Sequence, residues 1–236
     1  MNNSKTIKIA ISISALLLMT NLLLGAVMIN NSRSALKTLI QNRMLDIANT
    51  AADMLDGDVL MNIQVTDKGT PEYNKINDTL AVFQDNIDLK YIYCIRAASE
   101  KEFVFTVDPT IDDPGEFGDP IVYTDALYEA SKGVASVDNE PYTDAWGKFY
   151  SAYSPVFDSK GQVAGIVAVD FDAEWYDSQI EKQSRSILLC CIVSVIIGVG
   201  LLLFATGRIG FHKIDNLAQH DHGAFIRVQK RLLRRS

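Results

Sequence analysis

The stretch FYSAYSPVFDSKGQVAGIVAVDF, residues 149–171, reads as a β-hairpin. Two runs rich in aromatic and β-branched residues, Phe149 to Val156 and Gln162 to Phe171, flank Asp158-Ser159-Lys160-Gly161, whose composition is that of a turn. Side chains alternate along a strand, so Ala164, Ile166, Ala168 and Asp170 share one face. The alanines leave room there. A carboxylate at the end of an apolar face needs a partner, because an isolated buried charge is costly. A ligand's cation, a backbone donor or Arg96 can serve, and a purely structural reading makes Asp170 the cap of a helix beginning at Ala173. Tyr142, Trp146, Tyr150 and Tyr153 are either packing residues or the aromatic wall of a pocket.

Outward from the hairpin, the upstream sequence carries a second one. Leu89 to Ile95 (LKYIYCI) and Phe103 to Val107 (FVFTV) are strand-like and are joined by ASEKE. Pro, Gly and Asp make Asp108 to Pro120 a loop. Helical spacing of Leu36, Ile40, Met44, Ile47, Ala51 and Leu55 predicts a helix that ends near Gly57. A second helix is expected from Pro71 to about Asn86 and a short one from Thr124 to Lys132, stopped by Gly133. A last helix should start at Ala173. The order implies an α+β fold, an antiparallel sheet with its flanking helices to one side.

This domain, residues 31–186, lies between two uncharged apolar runs, Ile9 to Ile29 and Ile187 to Thr206. Each has the ~20 residues that a helix needs to cross a bilayer. The first is too long for the apolar core of a signal peptide, so it is expected to remain as an anchor. The flanks hold 9 basic and 2 acidic residues, whereas residues 31–186 hold 13 basic and 27 acidic. The positive-inside rule then puts residues 1–8 and 207–236 in the cytoplasm and the domain outside. Cys94 is the single cysteine of residues 31–186, so no disulfide can close within them. The basic tail reads as a topology signal touching anionic lipid, not as a nucleic-acid site.

From Asn139 to Trp175 the chain resembles extracytoplasmic Cache domains, the PDC or PAS-like sensors. The resemblance is carried by Pro141-Tyr142-Thr143-Asp144, by Pro155-Val156, by the turn of Asp158 and Gly161, and by the strand from Gly165 to Asp170. It implies a single sensor module between two transmembrane helices. In amino-acid-binding members, the residues matching Tyr142 and Asp170 contact the ligand's ammonium group. Their upstream R-x-W-Y segment, which grips the ligand's carboxylate, has no counterpart in DDPGEFGDPIVYTDALYEA. Arg96 is the sole arginine between Arg43 and Arg185 and the one candidate for that grip. The expected ligand site is therefore Tyr142, Asp170, Arg96, Tyr123, Trp146 and Tyr153, taking an amine, amino acid or carboxylate.

Motifs for catalysis, cofactors or metal are lacking. There is no Walker loop, G-x-S-x-G, H-E-x-x-H or C-x-x-C. Asp112, Asp113, Glu116 and Asp119 lack the order of a calcium loop and read as solvated acids. The run Ile214 to His222, IDNLAQHDH, is similar to the opening of diguanylate cyclase domains of the GGDEF family, yet no GGDEF follows. The expectation is a membrane sensor of the bacterial inner membrane, working as a homodimer, whose full-length parent makes cyclic-di-GMP and whose tail is the start of a truncated output domain. The alternatives are a chemoreceptor or histidine-kinase sensor fragment and a stand-alone binding or decoy protein.

Overall fold

The computed structural model describes the backbone of residues 3–232 and the side chains of residues 8, 9, 11–204 and 207. The chain divides into a sheet unit, residues 33–182, and a helical unit drawn from its two ends. The helices are α1 (Asn3–Asp53), α2 (Gly57–Leu60), α3 (Pro71–Asn86), α4 (Asp125–Ser131) and α5 (Ala173–Leu232). The strands are β1 (Tyr91–Ala97), β2 (Phe103–Val107), β3 (Pro120–Ile121), β4 (Ser136–Val137), β5 (Tyr142–Thr143), β6 (Lys148–Phe157) and β7 (Val163–Asp172).

The expected α+β class holds. One antiparallel sheet runs β3-β2-β1-β7-β6-β4, with β5 also paired to β6. The β6–β7 hairpin is its centre, in register from Phe149 opposite Asp172 to Val156 opposite Gly165. Eight successive residues of each strand are buried, so the clean alternation of a one-sided sheet is lost. Both faces are covered, which a near-continuous apolar run signals.

The covering differs from the expected one-sided arrangement. On one face, α1 (Ile40, Met44, Ile47, Ala51) and α3 (Ile76, Leu80, Phe83) pack on Ile92, Cys94, Val167 and Val169. On the other, α4 lays Ala126, Leu127 and Ala130 on Tyr93, Ile95, Tyr153, Ile166 and Ala168. The apolar residues of α4 make a single stripe, which is buried on this far face. Neighbouring strand residues therefore serve opposite layers. Tyr150, beside Ser151, stacks on Tyr176 of α5 with centroids 4.0 Å apart. Phe171, beside Asp170, packs on Trp175 of α5 and lies 5.9 Å below the Arg43 guanidinium of α1.

Local chemistry sets the element ends. Thr70 accepts from the Tyr73 amide ahead of α3, with Pro71 at the first turn, and Thr124 accepts from the Leu127 amide ahead of α4. α1 stops before the expected Gly57, because the Met54 and Leu55 amides tighten onto the Ala51 and Ala52 carbonyls. Gly57 opens α2 where a Cβ would stand 2.1 Å from the Phe157 carbonyl oxygen. The cap of α5 is Asp172, whose Oδ1 accepts from the Trp175 amide at 2.8 Å. Asp170 is not that cap.

In the helical unit, both apolar runs lie in helices long and apolar enough to cross a membrane. Leu16, Leu17, Leu189, Ile196 and Leu201 are exposed along them. Asn21 Nδ2 donates to Ser194 Oγ at 2.7 Å, and Thr20 Oγ1 donates to its own Leu17 carbonyl. Both bonds are made within one chain. The expected output-domain start in the tail lies outside the described side chains, and its backbone is helical through Leu232.

Candidate functional site

Three adjacent strands bring the site together. In register, Asp170 of β7 stands between Tyr91 of β1 and Ser151 of β6. β5 lies beside β6 and sets Tyr142 opposite Phe149. Ser151 Oγ donates to Asp170 Oδ1 at 2.5 Å and is hydrogen-bonded to the Tyr142 hydroxyl at 3.1 Å. The Tyr93 hydroxyl faces both Asp170 and Tyr142 and favours the ionised form of each.

Asp170 is 2% exposed. Burial pushes its carboxyl up to about 8, against the hydroxyls of Ser151 and Tyr93, which favour the ionised form. Asp144 and Asp138 add to the rise. Burial likewise raises the Tyr142 phenol, and the Asp170 charge raises it further. Asp138, 5% exposed, is pushed by burial up to about 6, although Thr124, the Ser151 amide and Tyr153 hydrogen-bond to it.

A pocket opens on Asp170 between Tyr91, Tyr93, Phe105 and Trp146, with Asp108, Asp113 and Asp144 at its rim. No lysine, arginine or histidine lines it among the described residues. Its free volume is about 10 Å³, the space of one water. The loop after β2 closes it. Asp108 accepts from the Thr110 and Gly115 amides, both at 2.8 Å, and Gly115 lies so near Phe105 that a Cβ would stand 2.6 Å from the ring. Asp144 Oδ1 accepts from the Trp146 and Gly147 amides. Trp146 Nε1 then donates to the Asp113 carbonyl at 2.9 Å, and its ring meets Phe105 edge-on at 5.4 Å.

Of the six expected residues, the structure brings Asp170, Tyr142 and Trp146 together. Tyr153 lies on the same face opposite Ala168, but its hydroxyl goes to Asp138 Oδ2 at 3.3 Å. Tyr123 belongs to a separate open cleft of about 510 Å³ beside α4 and β4, which it shares with Thr124, Glu129 and Asp138. Arg96 is on the other face. Tyr91, Tyr93 and Ile95 look toward Asp170, so Arg96, one residue further along β1, looks away. Its guanidinium donates to the Leu60 and Ile63 carbonyls at 2.8 and 3.0 Å and sits 5.9 Å from the Phe117 ring. Arg96 ties down the end of α2 and does not offer the carboxylate grip expected of it.

Sequence reasoning missed Tyr93, Ser151, Asp108 and Asp144. The first two were legible in principle. Tyr93 has the parity of Tyr91 on its strand, and Ser151 that of Phe149 and Tyr153. Asp144 ends the PYTD motif, and nothing in that motif signals its bonds to the Trp146 and Gly147 amides. Among the loop acids, Asp119 Oδ2 accepts from the Glu116 amide and Glu116 lies 4.0 Å from Lys68. No three His, Cys, Asp or Glu side chains among the described residues are placed to hold a metal.

No protein-family model matches this sequence, and no curated protein sequence matches it. Solved structures do. The ligand-binding domain of the Campylobacter jejuni chemoreceptor Tlp3, in complex with 4-methylisoleucine, aligns over 68% of this chain and 62% of its own at 15% identity, TM-score 0.47. The chain thus spans less than two thirds of that domain's length. The ligand-binding domain of the Pseudomonas aeruginosa amino acid chemoreceptor PctC, in complex with GABA, aligns over 68% and 67% at 20% identity, TM-score 0.44. The Escherichia coli DcuS sensor domain aligns over 64% and 98% at 18% identity, TM-score 0.38.

Proposed function

We propose that the chain is a membrane-anchored sensor whose sheet unit binds a small organic amine on Asp170. The buried Asp170 carboxyl carries this reading. The hydroxyls of Ser151 and Tyr93 face it, and acids surround it. A buried carboxylate of that kind lacks only a cation, and an ammonium group brings both charge and N–H donors. Tyr91, Tyr93 and Trp146 supply the faces on which an ammonium is held by cation–π attraction. With Arg96 turned away, no basic side chain in the pocket meets a ligand's carboxylate. A simple amine therefore fits better than an amino acid, and a carboxylic acid fits worst.

The two apolar helices and the basic flanks support an inner-membrane protein with the sheet unit outside. Pairing of two such chains, expected from the sequence, remains part of this proposal. The IDNLAQHDH stretch supports an output through cyclic-di-GMP, with its side chains outside the described residues.

The test is a thermal-shift screen of the full chain in lipid nanodiscs against amines, amino acids and carboxylates. A ligand at ~100 times its Kd adds about 2.7 kcal/mol of stability. Stabilisation by amines, absent in Asp170→Asn, supports the site. Stabilisation by carboxylates alone, or by amines equally in Asp170→Asn, overturns it.

A further inference from the structure

We propose that the empty site holds a proton on Asp170 and that a cationic ligand displaces it, so that the sensor reads amine concentration and pH together. This rests on the amine site proposed above and adds its regulation.

Charge and space force the exchange. Tyr91 and Tyr93 face Asp170 from β1, Ser151 from β6 and Tyr142 from β5. All are neutral. The charged groups acting on the pocket are Asp108 and Asp113 from the loop after β2, Asp144 from the β5–β6 turn, and Asp138 from the end of β4. They share one sign. Lys90, next to Tyr91, is turned onto that ring, with its Nζ 5.3 Å from the centroid. An ionised Asp170 in the empty pocket would have carboxylates around it and no counter-charge. A free volume of about 10 Å³ admits a water and excludes an organic cation. A proton fits that space and neutralises the carboxylate without any further group entering.

Binding balances simply. The loop parts at Trp146 and Asp113, the ammonium arrives, and the Asp170 O–H bond breaks with its proton leaving to solvent. The carboxylate then accepts N–H bonds from the ligand. The charge of the occupied site equals that of the empty one, so the acidic surroundings favour neither state. Burial sets the carboxyl at about 8, which brings the exchange into the neutral range.

The full chain in nanodiscs would be titrated calorimetrically with methylammonium, ethylammonium and ethanolamine from pH 5.5 to 9, in buffers of different ionisation heat. All three probes stay protonated through most of that range. One proton should be released per amine bound at the acid end, falling to none above about pH 8. Affinity should rise about tenfold per pH unit and then level off. Ser151→Ala removes a hydroxyl that favours the ionised form and should move the levelling point to higher pH. Amine binding with flat affinity and no proton release overturns the exchange and leaves the amine site standing. No amine binding at any pH overturns the site and the exchange with it. A ligand-free readout separates the two again. In the empty chain labelled with ¹³C-aspartate, the carboxyl resonance missing from Asp170→Asn should titrate near neutrality. A midpoint in the ordinary aspartate range overturns the proposal.

Discussion

Replacing Asp170 by Asn should stabilise the empty protein as pH rises. In the folded domain burial holds the carboxyl at about 8, whereas its ordinary value is 3.8. Between those values the folded state keeps a proton that the unfolded chain has released. Stability therefore falls with rising pH, by about 1.4 kcal/mol per unit. The loss is absent below the ordinary value and complete above the folded one. Asn cannot lose a proton and lacks this slope. From pH 5 to pH 7 the gap between variant and wild type should widen by about 2.7 kcal/mol in favour of the variant. For a unit of this size that is roughly 5–10 °C in Tm. Differencing against the wild type cancels the acids that do not interact with Asp170. Both tryptophans, Trp146 and Trp175, lie in the sheet unit, so their fluorescence follows its melting. Parallel pH profiles for the two proteins would refute the reasoning, because they would mean Asp170 is ionised when the site is empty.

Arg96→Met should cost about 1–3 kcal/mol of stability, since it leaves the Leu60 and Ile63 carbonyls without their donor. Amine affinity by calorimetry should not change, and a large loss would return Arg96 to the site. Trp146→Phe keeps a ring against Phe105 but deletes the Nε1 bond to Asp113. A bond worth about 1 kcal/mol corresponds to roughly fivefold faster amine association in stopped flow, and an unchanged rate would show entry by another path. Gly57→Ala puts a Cβ 2.1 Å from the Phe157 carbonyl oxygen and should cost about 1–3 kcal/mol in thermal melts. An unaltered Tm would mean that the start of α2 is free to move.

What could be read from the sequence was whatever local chemistry and periodicity fix. α3 runs from Pro71 to Asn86 as expected, because a proline and a threonine cap define its start. The central hairpin is legible because its strands are long and its turn is short. β4 and β5, two residues each, offer no period to detect and exist through pairing with β6. Leu89 and Lys90 look like strand, but β1 starts at Tyr91 opposite Asp170, and of the two only Lys90 reaches β7, through its amide to the Asp170 carbonyl. The side of the sheet taken by α4 was invisible, since amphipathicity gives a stripe without saying which face receives it. Within the site, Asp170 stood out as a charge on an apolar face. Arg96 was misplaced by counting arginines instead of strand parity. Asp108 and Asp113 depend on how the loop folds back over the pocket, and loop composition does not encode that.

The placement of Tyr150 and Phe171 has a mechanical meaning. Each is bonded through a single peptide group to a residue of the acid site, and each presses on α5 from the reverse of the sheet. The acid site and α5 are thus back to back, separated by one backbone thickness. A small slide of β6 along β7 that re-seats Ser151 against Asp170 must also re-seat Tyr150 on Tyr176. The sheet is in this sense a plate with the acid site seated on one face and α5 on the other.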